Sequence, residues 1–215
     1  MPWLHRVAQE PSCLLKRIDI LNRLWVPEGS NLLQFEQSVA RKFKSVSLYG
    51  CFMQSEQRLQ ALYQHFSMLT YLELYMERQR NWNRNVQIEL SFPRVTAGLA
   101  VLKHLRYLKL EMPGQSTISS RKEDHAQLHS VRWFKLQMWT AWHYQMERLH
   151  LDWVLPNAVR IAFRFDGKDC EDCEYRFDES TQNEREACKK ERTQNITRAL
   201  ANSKAKLFIS FELDD

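Results

Sequence analysis

Leu69-Thr70-Tyr71-Leu72-Glu73-Leu74 and Leu105-Arg106-Tyr107-Leu108-Lys109-Leu110 are one phrase written twice, with leucine at the first, fourth and sixth positions. The phrase recurs, with other apolar residues in the same places, as Leu15-x-x-Ile18-x-Ile20, Phe43-x-x-Val46-x-Leu48, Val131-x-x-Phe134-x-Leu136 and Ala158-x-x-Ile161-x-Phe163. A weaker seventh copy is Leu207-x-Ile209-x-Phe211. With the fourth position as marker, and Ile209 marking the last copy, the spacings are 28, 26, 36, 26, 27 and 48 residues. The last two apolar residues of each phrase lie two apart, the period of a strand that buries one face. Each phrase therefore predicts one short strand.

Segments with helical spacing separate the phrases. In Ser55 to Phe66 the residues Leu59, Leu62, Tyr63 and Phe66 follow the i, i+3, i+4, i+7 pattern. Comparable stretches are Leu32 to Phe43, Thr96 to Leu105, Thr140 to Trp153 and Glu184 to Leu200. One strand and one helix in so short a unit cannot bury their own apolar faces, so neighbouring units must stack and share a core. The pattern predicts an α/β solenoid, short and irregular, with parallel strands on one face and helices on the other. An ordinary α/β domain with leucine-rich strands matching by chance is the alternative, and six copies weigh against it. The organisation expected is a single domain over 1–215: six units in 15–165, an acidic insertion at 166–183, and a C-terminal helix and capping strand in 184–215. Interruptions fall near residues 76–98 and 166–206.

The phrases LTYLELYM (69–76), LKHLRYLKLEM (102–112) and SVRWFKLQM (130–138) resemble leucine-rich repeats. Their length and helical connections resemble the intracellular ribonuclease-inhibitor and F-box-associated types. The Asn or Cys that this family places after the last leucine is mostly missing, with Cys51 after Leu48 the best match. The resemblance implies a non-catalytic protein-protein interaction scaffold, such as a substrate-recognition part or adaptor of an F-box-type ubiquitin ligase. No F-box is visible, since a repeat phrase already starts at Leu15.

Alternation along a strand turns the residues between the buried positions to the opposite, concave face. Just before the markers stand Arg17, Ser45, Tyr71, Tyr107, Trp133, Arg160 and Phe208; just after them stand Asp19, Ser47, Glu73, Lys109, Lys135, Ala162 and Ser210. Tyr71, Tyr107 and Trp133 fall on consecutive strands and predict an aromatic row. Interfaces favour Trp, Tyr and Arg at their energetic centres. The candidate protein-binding residues are Tyr71, Tyr75, Tyr107, Lys109, Trp133, Lys135, Arg160 and Arg164. Such a face can also stack single-stranded nucleic acid, the alternative function, although Glu73, Glu111 and Glu212 share it and repel phosphates. The plainest alternative is that the rings only cover the sheet.

Charge is uneven. Residues 1–165 hold 22 Lys and Arg against 13 Asp and Glu, while 166–192 hold 6 against 10, so an acidic insertion adjoins a basic body. The acidic run Asp166 to Glu179 lacks the ligand spacing of a calcium loop. Cys170 and Cys173, with Cys188, supply three thiolates where structural zinc takes four ligands, and acidic neighbours raise thiol pKa values, against a redox role. His125 and His129 would share a helix face, but His-Ala-Gln-Leu-His lacks the glutamate of a zincin motif. With 5 Gly in all, no phosphate-cradling loop is present. No enzyme activity, cofactor or metal is expected. Charges break up the N-terminal stretch, no window is apolar enough for a membrane span, and the odd count of 5 Cys suits a reducing compartment. These features predict an intracellular protein, cytoplasmic or nuclear.

Overall fold

The computed structural model describes residues 17–20, 37–49, 56–75, 92–112, 121–138, 148–166 and 182–212. Among them seven strands form one sheet, every neighbouring pair parallel, in the order of the chain. The strands are β1 (Arg17–Ile20), β2 (Ser45–Tyr49), β3 (Tyr71–Tyr75), β4 (Tyr107–Met112), β5 (Trp133–Met138), β6 (Arg160–Asp166) and β7 (Lys206–Glu212). The connections carry helices α1 (Gln37–Ala40), α2 (Glu56–His65), α3 (Phe92–Leu99), α4 (Leu151–Val154) and α5 (Gln182–Ala199), with a 3-10 turn at Lys122–Asp124 between β4 and β5. The class is α/β. No described helix is long and apolar enough to cross a membrane.

Pairing sets the apolar phrases side by side. One line of partners runs Ile18, Val46, Leu72, Leu108, Phe134, Ile161 and Leu207. A second runs Ile20, Leu48, Leu74, Leu110, Leu136, Phe163 and Ile209. The seventh strand corrects the expected alignment: Leu207, not Ile209, pairs with Ile161, which shortens the last spacing from 48 to 46 residues. A shift of two leaves the same side chains inward, so the apolar pattern cannot distinguish the two registers. Backbone bonding distinguishes them, through Lys206 N–H donating to the Val159 carbonyl at 2.8 Å.

The approach to each of the strands β2 to β6 repeats in steps of three. Phe43 N–H donates to Ala40 O, Leu69 to Phe66 O, Leu105 to Leu102 O, Val131 to Leu128 O and Ala158 to Leu155 O, at 3.1 to 3.2 Å. The first phrase leucine is therefore delivered by a tight turn, and the next step of three is the strand's first buried residue. At four junctions one carbonyl then receives two successive N–H groups of the following strand. Lys44 O takes Thr70 and Tyr71, Thr70 O takes Arg106 and Tyr107, Arg106 O takes Arg132 and Trp133, and Arg132 O takes Val159 and Arg160. Side chains add ties on the same side: Thr70 Oγ1 donates to Lys44 O at 3.0 Å, Ser130 Oγ to Leu102 O at 3.1 Å, and Asn157 Nδ2 to His129 O at 3.0 Å. These links lie before the strands.

One buried cluster joins Val46 and the inward residues of β3 to β6 to Val39, Leu62, Phe66, Phe92, Val95, Leu99, Val154 and Ile196 of the helical segments, which places those segments against the inward side of the sheet. Helix bounds differ from expectation where the spacing was three rather than mixed three and four. The stretch Thr96 to Leu105 is not one helix. α3 starts earlier, at Phe92, with Pro93 in the first turn where no amide donor is needed. It stops at Leu99, after which Leu102 N–H bonds Leu99 O at 3.0 Å in the same three-residue step. Of Leu32 to Phe43 the helix includes Gln37–Ala40, and of Thr140 to Trp153 the described helix is Leu151–Val154. Residues 32–36 and 140–147 lie outside the described residues.

α2 and α3 meet where the Tyr63 ring lies over Gly98. A Cβ on Gly98 would stand 2.5 Å from Tyr63 Cε2 and 2.8 Å from Cδ2, so glycine is required by the close approach of the ring. The Tyr63 hydroxyl is buried without a hydrogen-bond partner among the described residues, and burial drives its pKa upward. In urea unfolding, Gly98→Ala lowers stability by about 1–3 kcal/mol through overpacking. Tyr63→Phe, which removes an unsatisfied buried hydroxyl, raises it by about 1 kcal/mol.

Candidate binding surface

The outward positions of the strands form rows as regular as the inward ones. The first reads Arg17, Ser45, Tyr71, Tyr107, Trp133, Arg160 and Lys206. Neighbouring strands lie about 4.8 Å apart, close to the separation at which aromatic rings stack, so identical rings on paired parallel positions come face to face. Tyr71 and Tyr107 do so, with centroids 4.2 Å apart and planes within 5°. The larger Trp133 meets Tyr107 edge-on, 5.0 Å between centroids and 88° between planes. Arginines close both ends: Arg160 lies over the Trp133 ring at 5.7 Å, and Arg17 reaches past the short Ser45 to lie over Tyr71 at 5.7 Å. Trp133 remains 43% exposed.

The second row, Asp19, Ser47, Glu73, Lys109, Lys135, Ala162 and Phe208, has a buried polar centre. Ser47 is buried, and Glu73 and Lys109 are each only 8% exposed. Three hydroxyls donate to the Glu73 carboxylate: Tyr71 and Tyr107 to Oε1, the latter at 3.4 Å, and Ser47 to Oε2 at 3.4 Å. Lys109 pairs with Glu73 across the strands and feels its charge. Desolvation, then hydrogen bonding to Glu73, raises the Tyr71 pKa; for Tyr107 the causes are desolvation and then the Glu73 charge. Lys109 is pushed down, first by burial and then by Lys135, with Arg164 adding to the repulsion and Glu73 and Glu111 opposing it.

The third row pairs Tyr49 with Tyr75, and farther along aligns Glu111, Gln137, Arg164 and Ser210. The surface thus brings together Tyr71, Tyr107, Trp133 and Arg160 in one line and Lys109, Lys135 and Arg164 beside it. Tyr75 occupies an outward position of β3, but its side chain lies outside the described residues.

Phe208 corrects the expected row. It aligns with Ala162, not with Trp133 and Arg160, whose line continues to Lys206. It is 42% exposed, with Lys206 Nζ 5.2 Å above its ring. Glu73, expected to project and repel anions, is instead held down by hydroxyls. The tyrosine two residues before it, repeated at the paired position 107, was the sequence signal for that role. Arg17 was visible as an outward residue, but only the short Ser45 beside it reveals how far it reaches.

The two histidines do not share a helix face. His125 follows the 3-10 turn and is buried against Phe92 and His150, with ring centroids 5.6 Å away in each case, whereas His129 is exposed. Among the described residues no group of three or more His, Cys, Asp or Glu could hold a metal ion. Cys170, Cys173 and the acidic run beyond Asp166 lie outside the described residues, as does the Cys188 side chain.

Compared with known proteins, the chain matches no protein family, and no curated protein or solved structure is significantly similar to it. The geometry of the surface therefore carries the functional argument.

Tyr71 and Tyr107 remain protonated at alkaline pH where tyrosines of ordinary pKa, about 10, have ionised. Because their folded pKa values are raised, the stability they contribute is present below that pH and declines as pH climbs above it. Glu73→Gln removes the charge that opposes phenolate formation, so phenolate absorbance develops at lower pH than in the wild type.

Proposed function

We propose that this chain is a protein-binding scaffold, a short, irregular solenoid of the leucine-rich-repeat kind whose outward strand face receives a partner protein. The observation that carries the reading is the continuous line from Arg17 through Tyr71, Tyr107 and Trp133 to Arg160. Large, rigid aromatic side chains lose little freedom on binding, and with arginine they supply most of the energy at protein interfaces. Here the rings are held by one another and by Glu73 before any partner arrives, which lowers the ordering cost of association.

The solenoid part of the reading is supported by strands that follow one another across the sheet in chain order with matched buried rows. In this reading the chain acts inside the cell as a recognition part or adaptor, in the manner of the F-box-associated repeats it resembles, and performs no catalysis.

Single-stranded nucleic acid suits the face less well. Base-stacking platforms offer open ring faces to successive bases, whereas Tyr71 and Tyr107 turn one face to each other and the Trp133 and Tyr71 rings are overlain by arginines.

Affinity purification with the wild-type chain, Trp133→Ala and Tyr107→Ala tests the proposal. Loss of the same partner from both variants, by tenfold or more, is the expected result, with thermal unfolding showing that each still folds. Retention of every partner by both variants would sink the surface assignment. Short oligothymidylate is expected to bind weakly even at low salt; tight, salt-sensitive binding would instead favour the nucleic-acid reading.

A further inference from the structure

We infer that the edge of the sheet at which the strands begin docks on an anionic lipid surface, its lysines and arginines meeting the headgroups while Val101 and Val159 enter the apolar boundary beneath them. The inference concerns a different surface from the aromatic row and does not depend on the scaffold reading.

Six turns lead into β2 to β7, over residues 40–44, 66–70, 100–106, 128–132, 155–159 and 200–205, and together they contain seven Lys and Arg and no Asp or Glu. Because the strands start in register, the turns share one edge. The residues just before the paired starts of β2 to β6 are Lys44, Thr70, Arg106, Arg132 and Val159, each bonded through its backbone to the next. At the usual strand spacing this line covers about 19 Å. Arg41 and Lys103 stand three residues before Lys44 and Arg106, and Arg41, Lys103, Arg106 and Arg132 are all exposed. Among the described residues none of the seven forms an ion pair. Arg132 gives one donor to the Asn157 carbonyl at 3.0 Å, which holds its chain along the edge and leaves its charge uncompensated. In the connections to β5 and β6 the described exposed acids, Glu123, Asp124 and Asp152, belong to the helical segments rather than to the turns.

Apolar side chains on the same edge select lipid over nucleic acid. Val159 and Val101 are 58% and 48% exposed, more than any other large hydrophobic side chain among the described residues, and both lie in these turns. Val159 adjoins Arg132, whose carbonyl accepts its N–H at 2.7 Å. An aliphatic side chain between cations gains from an interface that offers hydrocarbon beside anionic headgroups, and gains nothing from a phosphodiester backbone. The two phenylalanines of the turns, Phe43 and Phe66, are buried and cannot stack bases. Thr70, Ser130 and Asn157 donate to carbonyls of the preceding turns, so these neutral donors are engaged within the protein. The edge thus presents unpaired positive charge and small apolar groups, which suit a surface that is lain upon rather than a pocket that is filled.

Sedimentation of the full chain with vesicles tests the inference, comparing phosphatidylcholine alone with a mixture of phosphatidylcholine and phosphatidylserine at two salt concentrations. The mixed vesicles are expected to bind at least tenfold tighter, and less tightly as salt rises. Lys103→Glu and Arg106→Glu are each expected to lower that affinity at least fivefold, while Lys190→Glu, at an exposed position of α5, changes it less than twofold. Val101→Ser and Val159→Ser combined in one chain lower it at least threefold at either salt concentration, which a purely ionic contact would not show. Thermal unfolding verifies that the variants fold, and the comparison of the two vesicles needs none of them. Equal binding to both kinds of vesicle, equal losses from Arg106→Glu and Lys190→Glu, or full affinity in the double valine variant overturns the inference. Release from the mixed vesicles by a duplex oligonucleotide at equal phosphate concentration overturns it as well, in favour of nucleic acid.

Discussion

Strands β3 to β6 each carry two buried inward side chains that their own unit cannot cover, and the arrangement follows from the need to line them up with the next pair. Leucine or its equivalent over leucine, row after row, is possible only if successive strands start in register. The carbonyls of Lys44, Thr70, Arg106 and Arg132 enforce that start, each accepting two amides from the following strand. The tight turns that precede the strands bring Phe43, Leu69, Leu105 and Val131 into the same core. Packing and hydrogen bonding thus specify one alignment together, as in sequences whose local and global preferences agree.

The outward face inherits this constraint. A register chosen to stack Leu72 beside Leu108 also places Tyr71 beside Tyr107 and Glu73 beside Lys109. The aromatic stack and the buried carboxylate are therefore consequences of core packing as well as features of a surface. Burying Glu73 is costly in isolation, and three hydroxyl donors with a neighbouring ammonium offset that cost. Such a network holds the rings upright and fixes which parts of them a partner can reach.

Polarity then varies along the direction in which the strands are added. The earlier strands hold Glu73 beneath the hydroxyls of Ser47 and Tyr71, while the later ones carry Lys135, Arg160, Arg164 and Lys206 at outward positions beside an exposed tryptophan.

Much was legible in the chain itself. The 1-4-6 apolar phrase determined that strands occur at these seven places and which side chains point inward, because alternation is a property of any extended backbone. It also determined that Tyr71, Tyr107 and Trp133 share a line. The sequence could not choose between registers two residues apart for β7, since both bury the same face, and it read the steps of three after Leu99 as helix because apolar spacing alone does not distinguish a turn from a helical end. Only the tertiary structure decided that Leu207 aligns with Ile161, that Tyr71 and Tyr107 close on each other, and that Glu73 is withdrawn from the surface. Each of these involves contacts between residues 26 or more apart in the chain, set by hydrogen bonds and packing that no local pattern encodes.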